Sequence, residues 1–283
     1  VSWGIILEDL LACLADYDVT LPPKTLPFPA WSASLAEHAR QGGFRGELAY
    51  WGEVAARAEA AGDLFPREPL TRGETEQEEL VLDGVRASRL FDQARTLWNL
   101  SPADALLAIL THALGTEWNH TSVPVALEGH GREPFGDGQD IVRTVGWFTS
   151  VYPQVVTVGP EISDTLAAVR EAGVRLPSKG FGFGPLRWLD PGLGSETDRL
   201  AAVAPQVGFN YLGDHGRMRH GVGVEFLPAE ITVDPNQPTG IVVDIIGFRR
   251  GSDVVLQIRA PRAWSTDGTR AVLHRGVQNA FEA

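Results

Sequence analysis

Cysteine occurs once in the 283 residues, as Cys13, so no disulfide can form within the chain and a reducing compartment is the expected setting. Basic residues are scarce as well. With 24 Lys+Arg against 36 Asp+Glu the net charge is −12, which argues against a nucleic-acid backbone or an anionic membrane as the main partner. No run approaches the ~18 apolar residues of a membrane span, and no charged-then-apolar leader opens the sequence, so the cytoplasm is the expected location. The seven histidines show no metal-ligand spacing, a Gly-x-Ser-x-Gly elbow is missing, and there is no internal repeat. What remains is a globular composition, 43% hydrophobic and 21% charged, in a chain long enough for one large core or two lobes.

Helical spacing of Ile5, Leu7, Leu10, Leu11 and Leu14 predicts a first helix, and further helices are expected near residues 32–40 and 46–61, the last closed by Gly62. Between residues 65 and 79 the chain turns polar, with Pro66, Pro69, Gly73 and the run Glu74, Glu76, Glu78, Glu79, as a solvated connection would. Beyond it a short strand over 79–82 and helices over 87–97 and from Pro102 are expected. The alternating segment 123–127 then reads as a strand ending at Glu128. Strands are expected over 151–158, 240–248 and 254–258, and helices over 163–173 and 269–281. Helices and strands without strict alternation indicate an α+β layered fold.

Four short runs carry the chemistry. They are Glu128-Gly129-His130-Gly131-Arg132-Glu133, Arg143-Thr144-Val145-Gly146-Trp147-Phe148-Thr149, Lys179-Gly180-Phe181-Gly182-Phe183-Gly184 and Phe209-Asn210-Tyr211-Leu212-Gly213. In that order and at those separations they resemble the signature motifs of epimerization domains of nonribosomal peptide synthetases, members of the condensation-domain superfamily. Val1-Ser2-Trp3 resembles the tail of the His-His-x-x-x-Asp-Gly-Val-Ser-Trp motif, which puts that motif's histidines upstream of residue 1. The resemblance spans essentially the whole chain. It implies two lobes like chloramphenicol acetyltransferase meeting at a V-shaped cleft, with residues 1–68 finishing the N-terminal lobe, 69–80 linking, and 81–283 forming the C-terminal lobe. Departures occur at Gly4, at Pro185-Leu186-Arg187-Trp188 and at Asp214.

Epimerising a thioester requires removal of the Cα proton and its return to the opposite face, so a base, an acid and enolate stabilisation are needed. Glu128, after an apolar strand and before a glycine, suits a carboxylate whose proton affinity is raised by burial; the alternative is a solvated strand-end glutamate. The resemblance makes Glu128 the family's catalytic glutamate, opposed by the upstream histidine. His130 reads either as a base or as a structural hydrogen-bonding residue between two glycines. Arg132 would hold Glu128 or a thioester-side group, or form an ordinary surface pair, and Glu133 would support Arg132 or Arg143. Asn210 and Tyr211 would donate to an enolate oxygen, with a core tyrosine as the other reading of Tyr211. Trp147 and Phe148 read as packing and cleft-wall residues. The glycine run at 180–184 lacks the strand-loop-helix context of a nucleotide loop and reads as a flexible loop near the cleft, with Lys179 and Arg187 available to a phosphate.

The resemblance therefore implies epimerization of an aminoacyl or peptidyl thioester on a neighbouring peptidyl carrier protein. The carrier supplies the phosphopantetheine; this domain binds no cofactor or metal of its own. Adjacent synthetase domains are the other expected partners. An alternative in the same superfamily is the catalytically silent X-type domain, which recruits haem-thiolate oxygenases to the carrier-bound peptide. Peptide-bond-forming condensation fits the Glu128 and Phe209 motifs less specifically.

Overall fold

The computed structural model describes residues 1–214 and 233–282, and the side chain of Asp214 falls outside the described residues. Helices α1 (Ser2–Ala15), α2 (Phe28–Arg40) and α3 (Leu48–Ala61) come first, and Gly62, at φ +69, ends the third in a conformation open to glycine. Strand β1 (Thr75–Leu82) leads to α4 (Gly84–Trp98) and α5 (Pro102–Glu117). Asp83 caps α4 by accepting from the backbone N–H groups of Val85 and Arg86, and Ser101 caps α5 with Asp104 completing the box.

Next come β2 (Ser122–Gly129), β3 (Ser150–Thr157), α6 (Ile162–Arg175), α7 (Phe183–Leu189) and α8 (Ser195–Ala201). The chain closes with β4 (Val207–Asp214), β5 (Val243–Arg250), β6 (Asp253–Pro261), α9 (Trp264–Asp267) and α10 (Thr269–Glu282). The strands form a single six-stranded mixed sheet in the order β1-β6-β5-β4-β2-β3, with β2, β4 and β5 parallel and the other pairs antiparallel. This is the α+β architecture expected from the sequence.

Only one face of that sheet is covered by the main core. Val125, Leu127, Val207, Phe209, Val243, Ile245, Leu256 and Ile258 pack with α5, which is buried nearly all round through Leu106, Ile109, Leu110 and Leu114. Each such side chain contributes about 1.5–3 kcal/mol by leaving water. The opposite face carries the alternate residues, Ala126 and Glu128 on β2, Gly208 and Asn210 on β4, Asp244 and Ile246 on β5, and Gln257 and Arg259 on β6.

A second, aromatic cluster joins α2 and α3 to the irregular segment 130–149 and to α7, through Trp31, Phe44, Trp51, Phe135, Phe148, Phe181 and Phe183. Trp31 and Phe148 meet with ring centroids 4.6 Å apart at 62°, and Phe28 meets Phe148 edge-on at 5.1 Å. Residues before and after the polar stretch at 65–79 thus share one core.

Two expectations are corrected. The acidic stretch expected to be a solvated connection is, from Thr75 onward, strand β1 paired with β6, because its glutamates find partners: Glu76 bonds Arg270, Glu78 lies 2.8 Å from His274 Nε2, and Glu79 lies 2.7 Å from Arg250. The glycine run expected as a flexible loop is packed structure, with Phe181 and Phe183 buried at 3% and 4% exposure and α7 starting inside it. Gly180, at φ +84, lies against the Tyr152 ring where a Cβ has no room.

Candidate active site

Glu128 is the penultimate residue of β2, and the parallel register that pairs Leu127 with Phe209 sets it beside Asn210 on β4. Their side chains leave the same face of the sheet and meet, the Asn210 amide Nδ2 donating to Glu128 Oε2 at 2.6 Å. Oε1 is left without a hydrogen-bond partner among the described residues. By surface area Glu128 is an exposed residue, yet the strand ends around its carboxylate remove enough water to hold the group above the ordinary carboxylate range, and the negative charge of Asp244 pushes the same way. An upward direction follows from both causes, and it is the direction that makes a carboxylate a better proton acceptor.

Consecutive residues of a strand point to opposite faces, so Tyr211 does not join this pair. Its ring packs toward the helices instead, 6.5 Å from the Phe91 ring and against Gly247, whose missing side chain makes the space. The sequence pattern treats Asn210 and Tyr211 as one donor pair, and strand geometry separates them.

The motif that follows Glu128 builds a support, not a ligand for the carboxylate. Arg132 Nη1 donates to the Ile141 carbonyl at 2.6 Å, Nη2 to the Thr144 carbonyl at 2.7 Å and to Ser2 Oγ at 3.2 Å, and the guanidinium sits 4.0 Å from the centre of the Phe148 ring. Burial lowers its proton affinity. Arg132 therefore pins the irregular segment 130–149 to α1 and does not hold Glu128. His130 accepts the Arg132 backbone N–H at Nδ1, 3.0 Å, and places Nε2 3.4 Å from Glu133, which is the structural reading of that histidine. Glu133 supports His130 and not an arginine, because Arg143 is taken by Glu8 at 2.9 Å and by Asp9. Gly131, at φ +67, passes so close to the Phe148 carbonyl that no Cβ fits.

Trp147 lies 82% exposed in the segment before β3, while its neighbour Phe148 is buried at 4%. Lys179 is exposed in a left-handed turn, and its backbone carbonyl passes beside Gly129. Arg187 is spent on the Ala201 carbonyl at 2.9 Å and on the Trp188 ring, so it is not the free phosphate ligand expected. Among the described residues no group of three or more His, Cys, Asp or Glu could hold a metal ion, and no helix is long and apolar enough to cross a membrane.

Sequence reasoning passes over Asp244 and Arg259. Asp244 is the one charge in the run Ile241-Val242-Val243-Asp244-Ile245-Ile246, and a lone carboxylate in an apolar strand is the available signal. It pairs across the sheet with Arg259, at 3.6 Å.

A family model described as "Condensation domain" matches residues 1–224. Among curated proteins, one of the linear gramicidin synthase subunits of Brevibacillus parabrevis is 35% identical over 240 residues, 81% of this chain and 3% of that protein. A plipastatin synthase subunit of Bacillus subtilis (strain 168) is 32% identical over 229 residues, 75% of this chain and 6% of that protein. The chain thus spans a small fraction of the length of these relatives. Among solved structures, the epimerization domain from the third module of tyrocidine synthetase B superimposes with a TM-score of 0.77 at 24% identity, covering 100% of this chain and 67% of that one. A condensation domain that mediates chain release from the enacyloxin polyketide synthase gives 0.68 at 17%, covering 99% and 54%. With a family model matching well over half of its residues and the fold shared throughout, this chain belongs to the condensation-domain family.

Proposed function

We propose that the chain is an epimerization domain of a nonribosomal peptide synthetase, inverting the Cα of an aminoacyl or peptidyl thioester carried on a neighbouring carrier protein. The observation that carries this reading is the Glu128–Asn210 pair: a strand-end carboxylate with raised proton affinity, one oxygen held by an amide donor and the other unpartnered among the described residues. In the reaction Glu128 takes the Cα proton, the electron pair moves onto the thioester oxygen as an enolate, and a group on the opposite face returns a proton to Cα. Glu128 then loses its proton to solvent and the opposing group regains one from solvent, which together restore the starting state. The opposing group is the histidine that the motif resemblance puts before Val1. Phosphopantetheine arrives with the carrier, and the chemistry needs no metal, because a carboxylate and an imidazole suffice for proton exchange.

Transfer of deuterium from solvent to the carrier-bound Cα tests the reading in a complete domain with its carrier. Wild type is expected to exchange, and Glu128→Gln to lower the rate by about 10²-fold or more. Equal exchange in the two proteins would dismiss Glu128 as the proton carrier. No exchange in wild type, together with binding of a haem-thiolate oxygenase, would instead support the recruitment reading of the superfamily.

A further inference from the structure

The carboxylates of Glu128 and Asp244 lean over the same strand from opposite sides. Glu128 reaches Asn210 on β4, and Asp244, from β5, places Oδ1 only 2.8 Å from where a Cβ on Gly208 would stand. Asn210 and Gly208 are two residues apart on β4, so the two acids face each other diagonally across that one strand. Of the two β4 residues between them on this face, Asn210 is bonded to Glu128 and Gly208 is bare, so at Gly208 no β4 side chain stands between the two charges. Behind Asp244, Arg259 reaches Oδ2 at 3.6 Å while its Nη2 donates to Gln77 at 2.9 Å. The ion pair is long, and both partners are about one-third exposed, 32% for Arg259 and 30% for Asp244, so it restrains Asp244 without cancelling its charge.

We propose that Asp244, restrained by Arg259, is a positioning residue for Glu128: its charge, acting across the side-chain gap at Gly208, sets how readily the Glu128 carboxylate takes up a proton. This rests on the reading of Glu128 as the proton carrier. Among the described residues, other elements contribute little charge toward Glu128. Asn210 on β4 and Val151, its partner on β3, are neutral, while His130 in the following segment is engaged with Glu133 and the Arg132 backbone. Lys179 approaches through its backbone carbonyl beside Gly129. The upward displacement of the Glu128 pKa, caused first by burial and then by Asp244, agrees with this geometry.

The role is distinct from a structural one because its two members act with opposite signs. Carbon-13 NMR titration of the Glu128 carboxyl in the unliganded chain, assigned by its loss in Glu128→Gln, reads the effect without substrate. Asp244→Asn is expected to lower the titration midpoint by about 0.3 pH unit or more, as removal of a charge across one strand through a partly aqueous path should. Arg259→Gln is expected to raise it, and the double variant to follow Asp244→Asn. Gly208→Ala, which leaves the charge but displaces the carboxylate, is expected to lower it by a smaller amount and serves if Asp244→Asn folds poorly. An unchanged midpoint in Asp244→Asn, or shifts of the same sign in Asp244→Asn and Arg259→Gln, would overturn the proposal. Because this titration needs no turnover, it can fail while solvent exchange at Cα succeeds, and the reverse, so the two readings are separable.

Discussion

Glu128 carries a stability consequence as well as a chemical one. Its ionised form is disfavoured in the folded chain, by burial first and by Asp244 second, so the folded state binds a proton more readily than the unfolded one. Between the unfolded and folded pKa values stability accordingly falls as pH rises, the reverse of the usual ion-paired carboxylate. Glu128→Gln, whose amide oxygen can still accept from Asn210, removes that penalty. Urea denaturation at neutral pH is expected to find the variant as stable as wild type or more stable by up to about 0.5 kcal/mol, with less loss of stability between acidic and neutral pH. Lower stability at neutral pH would show that the charged carboxylate is favoured, and with it that the site is not tuned upward.

At the level of elements, Asp190 behaves in the opposite sense. Its side chain, 1% exposed at the end of α7, accepts two hydrogen bonds from Arg45, at 2.7 Å and 2.8 Å, and so ties α7 to the turn that precedes α3. The hydrogen bond from Arg45 lowers its pKa against the cost of burial. Its contribution is therefore present above the unfolded pKa and lost as pH falls through the folded one. Asp190→Asn is expected to lower the melting temperature by about 2–4 °C near neutral pH, a difference that shrinks on acidification, as calorimetry across pH would record. Such long-range ties are what the sequence hides. Helices α1 through α6 and α10 are legible from period and caps, and β2 and Glu128 from alternation. Strand β4 reads as a motif and not as an element, because Gly208, Asn210 and Gly213 interrupt its apolar pattern. Residues Glu76 to Glu79 look solvated because their partners, Arg250, Arg270 and His274, lie more than 170 residues away, as with the |i−j| of 171 between Glu79 and Arg250. The motif resemblance gives Glu128 and Asn210 roles in one reaction but no bond between them, and that bond is not legible because no local rule states which strands become neighbours.

For the molecule as a whole, helix α1 is anchored by one side only. Ile5 is buried, Ser2 bonds the Gly146 carbonyl, and Glu8 and Asp9 meet Arg143, whereas Trp3 at 72%, Leu10 at 49% and Leu14 at 74% exposure form a bare stripe at helical spacing. Apolar surface of this kind drives association, and the net charge of −12 opposes it. The 283 residues by themselves are expected to self-associate increasingly as salt is added, and the double change Leu10→Glu with Leu14→Glu to keep them monomeric; sedimentation velocity at low and high salt reads both. Equal sedimentation of the two proteins at high salt would place the contact elsewhere. The Glu128–Asn210 bond joins positions 82 apart along the chain, and between them lie β3, α6, α7 and α8. A loop of that length must close before β4 can align with β2, so the pair is a long-range contact that no single element forms by itself. A partly folded chain thus lacks the Glu128–Asn210 pair, and the raised proton affinity of Glu128 belongs to the completed sheet alone.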